Sequence, residues 1–506
     1  MGARLSNRAF DLNEDIGQIP FDFNRSVEVD ISIAAIETAL RQPFNCTRLF
    51  EELMSCTALE ATFKAHFSIS PGKGVDRING FQFAAGRMAD LTHASRKCLD
   101  GTFRFSPYLE VLKPKGRDSK PRLVSIPTVR DRVVLHQIKE LLAKAFPECV
   151  PRNIAGSIIR EIAADLPNRD AQTTFAAGCD IKKFYDTLHR DRLMKHISSR
   201  ITDPRPLKLI ERSILTPTVP SSTRRTEYAK HSEREGVPQG LATSNIMAAI
   251  YVSEIDQGMK TLPVRYFRYV DDVLIYGDEE AVQKAQKSFV SRAQRRGLSV
   301  HKVGGGKSYL TRLTGEFRYL GYVFRGRVVT VRDSTVENLL ESLAGKFSDF
   351  RHNKDRRLHK HKFLNLERLK EIFLLELNER ITGAVKENKR YGWIAYFSQI
   401  SDLSLLHKLD FVVHSMFQRL PEFKNGAPAG LKSFVRAFFE MKYRPHAGYV
   451  RDFDVFTSPA QKLRFLFERG RVGPDDALTD DQIEARFSGY TASILNAMKA
   501  DEANIY

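Results

Sequence analysis

The sequence predicts an α+β fold, a strand-bearing domain with a helical appendage. Three observations lead there. Strand-like and helix-like segments interleave from about residue 103 to 331, with neither a Rossmann glycine fingerprint nor a Walker loop, which argues against a doubly wound parallel sheet. From about 333 to 420 the apolar spacing is helical. At 506 residues the chain exceeds one ordinary core, so roughly two to four subdomains are expected.

Taken in order, Ser26 and Asp30 are candidate caps for a helix through Ile31–Leu40, and residues 1–65 read as a helical N-terminal extension. Ser70–Asp76 is a glycine-bearing loop. A β-type segment is expected from Phe103 to Leu112, then a basic turn, then a strand over Pro121–Pro127. Thr128 opens an amphipathic helix through Val133–Leu142. Thr174–Ile181 reads as a strand ending at Asp180, with a helix from about Arg190. Gly236-Val-Pro-Gln-Gly240 is a turn before a long helix through Ile246–Ile255. A hairpin spans Val264–Tyr276 and a helix Glu279–Arg296. Strands follow at Leu298–Val303, Phe317–Phe324 and Val328–Val331. The helical block ends at the composition shift Lys424–Gly430, and a mostly helical segment closes the chain. No internal repeat or low-complexity block interrupts it.

Lys and Arg number 79 against 61 Asp and Glu, a net charge of +18, which favours a polyanionic partner such as nucleic acid. The five cysteines contain no Cys-x-x-Cys pair, so neither a zinc site nor a disulfide framework is expected. Scattered thiols suit a reducing cytoplasm. No apolar run approaches a membrane span and no signal-peptide core is visible. Met1-Gly2 with Ser6 fits a myristoylation pattern that is too short and common to carry weight.

The chemistry centres on Tyr269-Val-Asp-Asp272, which places two adjacent carboxylates at the tip of an apolar, aromatic hairpin. Like charges held side by side need a cation to neutralise them. A lone Asp-Asp is more often a plain turn. Asp180, however, ends a second strand. If the two elements are neighbours in one sheet, three carboxylates converge. They would then hold two Mg²⁺ ions, about 3.5–4 Å apart, for in-line attack on a phosphate.

At this point a series of blocks resembles the reverse transcriptases of the bacterial group II intron and retron lineage. Gly74-Val-Asp76 is similar to an early fingers block. Lys113-Pro-Lys115, Lys120-Pro-Arg122 and Ile126-Pro-Thr-Val-Arg-Asp-Arg132 resemble the second. Asp180-Ile-Lys-Lys-Phe-Tyr-Asp186 resembles motif A, and Val237-Pro-Gln-Gly240 with Ser244-Asn245 motif B. Tyr269-Val-Asp-Asp272 resembles motif C, Gly297-Leu298 with Lys307-Ser308 motif D, and Tyr319-Leu-Gly-Tyr322 motif E. Gly392-Trp393 with Tyr396-Phe397 is similar to a thumb element. The likeness covers about residues 70 to 420, with the blocks in family order.

The resemblance implies a right-hand polymerase of fingers, palm and thumb, with an antiparallel palm sheet, a helical thumb, and helical N- and C-terminal extensions. Its boundaries are 1–65 for the N-terminal extension, 66–332 for fingers and palm, 333–425 for the thumb and 426–506 for the C-terminal extension. It implies an RNA-directed DNA polymerase using two Mg²⁺ ions, with Mn²⁺ as a substitute. Asp180 and Asp271 would be direct metal ligands, Asp272 a supporting one, and the Ile181 carbonyl a backbone ligand. Tyr185 would lie under the sugar and select dNTPs. Gln239 would touch the sugar and templating pair, with Gly240 allowing close backbone approach. Lys113, Lys120 and Arg122 would pair with triphosphate oxygens, and Lys307 would protonate pyrophosphate. The basic run carrying Arg351, Lys354, Arg356, Arg357, Lys360 and Lys362 would track a phosphate backbone, with a solvated helix face as the plain alternative. Trp393, the only tryptophan, reads as a packing anchor.

No RNase H-like carboxylate set or His/Cys endonuclease pattern follows the thumb. The architecture is similar to stand-alone, defence-associated bacterial reverse transcriptases. That implies an RNA template in the form of a structured non-coding RNA, a DNA product, dNTP substrates, cytoplasmic location and no membrane partner, with a homo-oligomer allowed. A retron enzyme is the nearest rival. A non-catalytic RNA-binding scaffold and a template-independent terminal transferase are the alternatives of other kinds. Tyr506 at the terminus is a candidate protein primer, although an ordinary frayed end is the plainer reading.

Overall fold

The computed structural model describes residues 45–113, 121–150, 155–231, 235–304 and 307–503. The expected helix Ile31–Leu40, Lys115, Lys120 and Tyr506 lie outside the described residues. The chain divides into two units, Met1–Asn45 and Cys46–Tyr506, and the architecture below is that of the second.

Helices Cys46–Leu53, Cys56–His66 and Ala89–Leu99 pack around the helix Val129–Ala145. Thr128 caps that helix, its side chain accepting from the Asp131 amide, as the sequence led us to expect. Beside it lies a small sheet. Strands β1 (Tyr108–Lys113) and β2 (Arg122–Ile126) form an antiparallel pair, and β4 (Thr218–Val219) runs parallel to β1. The β-type segment therefore starts at Tyr108 rather than Phe103, where buried Phe103 and Phe105 stack edge-on in a non-strand conformation.

The central sheet orders β5 (Arg265–Tyr269), β6 (Asp272–Asp278), β3 (Thr174–Asp180) and β7 (Tyr309–Arg312), every neighbour antiparallel. Alternation separates its two faces. Ala177, Cys179, Val273 and Ile275 are buried on the face covered by helix Glu279–Arg295, whose Gln286 amide donates to Cys179 Sγ at 3.8 Å. Ala176, Leu274 and Tyr276 join the other core, with helix Ala155–Asp165 and the thumb. Asp180 and Asp272 share the parity of that second face.

The segment 298–303 is not a strand. The Lys182 amide donates to Ser299 O at 2.8 Å and the His301 amide to Asp180 O at 2.9 Å, giving one bridge, Ile181 to Val300. The chain then leaves through Gly304 at φ +87, so no ladder extends. Phe317–Phe324 is likewise two strands, β8 (Glu316–Tyr319) and β9 (Tyr322–Arg325). Between them Leu320 and Gly321 both have positive φ, the signature of a two-residue hairpin turn. Strand β10 (Val328–Val331) completes this second antiparallel sheet.

Helices Asp333–Lys360, Leu366–Thr382 and Leu403–Phe417 form the thumb around Phe347, Phe350, Phe373 and Phe417. The helical expectation for 333–420 misses a hairpin, β11 (Ala384–Lys386) with β12 (Lys389–Tyr391). Its turn residues Glu387 and Asn388 have positive φ, and their amides donate to the Asp454 carboxylate at 2.7 and 3.1 Å. Strand β13 (Arg451–Asp452) adds in parallel to β11. Trp393 is fully buried against Phe397 and Phe434. Helices Pro459–Glu468 and Asp480–Ala503 share a smaller core of Phe453, Phe465, Phe487, Leu495 and Met498. This is an α+β right-hand arrangement: small fingers sheet, antiparallel palm, helical thumb and a helical C-terminal segment.

Candidate active site

Pairing in the palm places Asp180 opposite Asp272, and Tyr269 opposite the same Asp272. Val270 and Asp271 therefore form the two-residue turn between β5 and β6, and the Ile181 amide donates to Asp271 O at 3.3 Å. Three carboxylates thus meet at one end of two adjacent strands. Val270 holds φ +57, a left-handed conformation that costs a β-branched residue about 1–3 kcal/mol. Its carbonyl accepts from Arg268 Nη1 at 2.8 Å, while Arg268 Nε donates to Asp256 Oδ1 at 2.8 Å. The Tyr266 phenol also donates to Asp256, at 2.7 Å. This pinned ion pair behind the turn was not anticipated, because its partner Asp256 lies on a different element, the helix Ser244–Lys260.

Burial, then the charge on Asp271 and that on Asp180, push the Asp272 carboxyl up to about 7, against the Leu320 amide and Arg332. Two basic side chains stand near Asp180: His301 Nε2 at 3.3 Å and Lys307 Nζ at 3.8 Å from Oδ1. The Asp180 amide donates to Ser308 Oγ at 3.3 Å. Lys307 is thus brought to the carboxylates despite the glycines before it. His301 gave no sequence signal, since only the bridge to Ile181 aims it there.

Among the described residues, no group of three or more His, Cys, Asp or Glu side chains is arranged to hold a metal ion by itself. Mg²⁺ does not require one. It is ordinarily held by one or two carboxylates and completed by substrate phosphates and water. A carboxylate with its pKa raised beside two others is what a divalent ion would relieve, so the chemistry of Asp180, Asp271 and Asp272 suits one.

The Tyr185 side chain is half-buried, and its hydroxyl donates to Asn245 Oδ1. Burial and the Asp271 charge push its phenol up to about 12, with Arg122 and Arg268 opposing. The turn before helix Ser244–Lys260 packs directly on this region. The Val237 amide donates to Tyr185 O at 2.9 Å, and Gln239 Nε2 to Asp186 Oδ1 at 3.4 Å. Gly236, at φ +76, has no room for a side chain, since a Cβ would lie 2.2 Å from Tyr185 O. Gly240, at φ +100, faces β2, and a Cβ there would meet Val124 Cγ1 at 2.6 Å. The Gln239 carbonyl accepts from the Ser125 amide at 2.7 Å. Lys113 and Arg122 are paired across β1 and β2, so the strand bearing Arg122 also carries the contact to this turn.

The basic run is only partly a free surface. Arg351, Arg356, Lys360 and Lys362 are exposed, and helix Asp333–Lys360 ends before Lys362. Lys354 is instead ion-paired with Glu422, and Arg357 is half-buried.

Comparison with known proteins gives a family match over part of the chain. Residues 111–324 match the family described as "Reverse transcriptase (RNA-dependent DNA polymerase)". Over 193 residues the chain is 26% identical to Protein YkfC of Escherichia coli, covering 36% of this chain and 49% of that protein. Over 169 residues it is 28% identical to an uncharacterized 91 kDa protein in the cob intron of Schizosaccharomyces pombe, covering 32% of this chain and 20% of that protein. The chain thus spans about half the length of the first relative and a fifth of the second. Among solved structures it is similar to apo telomerase from Candida tropicalis truncated from its C-terminal domain, with TM-score 0.35 and 13% identity over 45% of this chain and 55% of that one. The family match thus covers residues 111–324, less than half of the chain. No helix among the described residues is long and apolar enough to cross a membrane.

Proposed function

We propose that this chain is an RNA-directed DNA polymerase that adds dNTPs to a 3′ or protein hydroxyl. The observation that carries the reading is the register pairing of Asp180 with Asp272, with Asp271 in the adjoining turn, inside a reverse transcriptase domain. Two divalent ions held there, with Mg²⁺ the expected species, would neutralise the charge gathered on the phosphoryl group in transit. The chain's own groups do the rest. Tyr185, braced by Asn245, presents a ring beside the carboxylates that would exclude a 2′-hydroxyl. Gln239 and Gly240 hold the turn against β2, where the sugar and templating base would rest. Lys113 and Arg122 would meet the triphosphate, and Lys307, 3.8 Å from Asp180, would give a proton to the departing pyrophosphate. Arg351, Arg356, Lys360 and Lys362 would follow the template–product backbone.

The template reading is finer. A palm and thumb followed by a helical C-terminal segment with its own core favours a stand-alone enzyme copying a partner non-coding RNA in antiviral defence. The test is sequencing of RNA and DNA that copurify with wild type and with Asp271→Ala/Asp272→Ala. A defined RNA in both, with complementary DNA only in wild type, is expected. RNA in both and DNA in neither would favour the binding scaffold. A short DNA branched from its own structured RNA would favour the retron reading.

A further inference from the structure

The helical layer behind the palm sheet contains a cavity rich in basic side chains, on the face opposite Asp180 and Asp272. Helices Arg190–Ser198, Ser244–Lys260 and Glu279–Arg295 bound an open cavity of about 570 Å³. Its lining includes Arg192, Lys195, Arg292, Arg295 and Arg296, with Glu254 the single carboxylate. Five cations against one carboxylate leave a net charge of +4 around one cavity, His196 taken as neutral. Glu254 is already used, paired with Arg296 and 3.7 Å from His196 Nδ1.

The cations are placed rather than merely present. Arg296 Nη1 donates to Tyr251 O at 3.1 Å, Arg192 Nη1 to Arg295 O at 2.8 Å, and Arg292 Nε to Ser288 Oγ at 3.2 Å. The Arg292 guanidinium lies on Gly258, where a Cβ would be 2.2 Å from its Nη1, so the helix has a gap where that group rests. Each guanidinium has five N–H donors, more than these bonds use. Holding like charges together is unfavourable unless an anion joins them, and forked guanidinium donors suit phosphate oxygens. Ile255 adds an apolar wall, and the volume is that of a small-molecule site.

We infer that this cavity binds a nucleotide phosphate, either a free nucleoside triphosphate or the phosphorylated 5′ end of an RNA strand, independently of the palm carboxylates. The test is fluorescence anisotropy in EDTA, where binding that depends on a divalent ion is removed. The probes are labelled ATP and a short RNA carrying either a 5′-phosphate or a 5′-hydroxyl. Full-length wild type, Asp271→Asn and Lys195→Glu/Arg295→Glu are compared. Binding should persist in Asp271→Asn, weaken about tenfold or more in the double variant, and fall with added salt. ATP binding identifies the free nucleotide as a ligand. Binding of the 5′-phosphorylated RNA but not the 5′-hydroxyl RNA identifies the strand end. Equal ATP binding in wild type and double variant, dependence on Mg²⁺ and Asp271, or no ATP binding together with no gain in RNA binding from the 5′-phosphate would overturn the assignment. If the double variant melts early, Ser199→Glu puts a carboxylate at the exposed rim and gives the same readout.

Discussion

Asp272→Asn should stabilise the metal-free protein at alkaline pH. The Asp272 carboxyl is raised from 3.8 to about 7, chiefly by burial and then by Asp271. A carboxyl raised in the folded state contributes its full stability below the unfolded value and loses it as pH rises through the folded one. The window is therefore about pH 4 to 7. At about 1.4 kcal/mol per pH unit, ionised Asp272 costs the apo fold at most about 4 kcal/mol at pH 8 and about 1 kcal/mol at pH 4.5. Asparagine keeps the shape and removes the charge. In EDTA the variant should melt several degrees above wild type at pH 8 and close to it at pH 4.5. Mg²⁺ should then raise the melting temperature of wild type at pH 8 and that of the variant much less. Differential scanning fluorimetry at both pH values reads all of this. An equal gap at both pH values, or a Mg²⁺ response unaffected by the substitution, would refute the argument that these carboxylates await a cation.

Other consequences follow from single contacts. Asp271→Asn should lower DNA synthesis by about three orders of magnitude in a primer-extension assay, with melting preserved, as several kcal/mol of charge stabilisation is lost. Gly178→Ala should destabilise by about 1–3 kcal/mol, read by denaturant unfolding, because the new Cβ would sit 2.2 Å from Tyr309 Cε1. Arg268→Met should cost about 3–5 kcal/mol by leaving Asp256 unpaired, and Arg268→Met/Asp256→Leu should recover part of it. Charge reversal at Arg351, Arg356 and Lys360 should weaken template binding and flatten its salt dependence, whereas Lys354→Ala should instead be read mainly as lost stability through Glu422.

Much of the site was legible because local chemistry marks it. Thr128 caps its helix through its own hydroxyl, β3 ends at Asp180 after an apolar run, and the Asp-Asp pair follows a strand. Periodicity failed where a few residues change direction. Leu320 and Gly321 turn a strand-like run back on itself, and Glu387 and Asn388 do so within helical surroundings, held by Asp454. The run at 298–303 is β-prone but finds two isolated bridges, Val300 to Ile181 and Val303 to Ser308, instead of a ladder.

By itself the sequence determined which carboxylates, aromatics and basic residues lie near the ends of which segments. Those properties depend on residue identity and short-range spacing. Only the tertiary structure decided that Asp180 faces Asp272, that His301 joins Lys307 beside Asp180, that Lys354 is consumed by Glu422, and that arginines from two separate helices surround one cavity. A charge acquires its role from neighbours far away in sequence, because strand register and helix packing bring them within reach, and neither register nor packing is written into local periodicity.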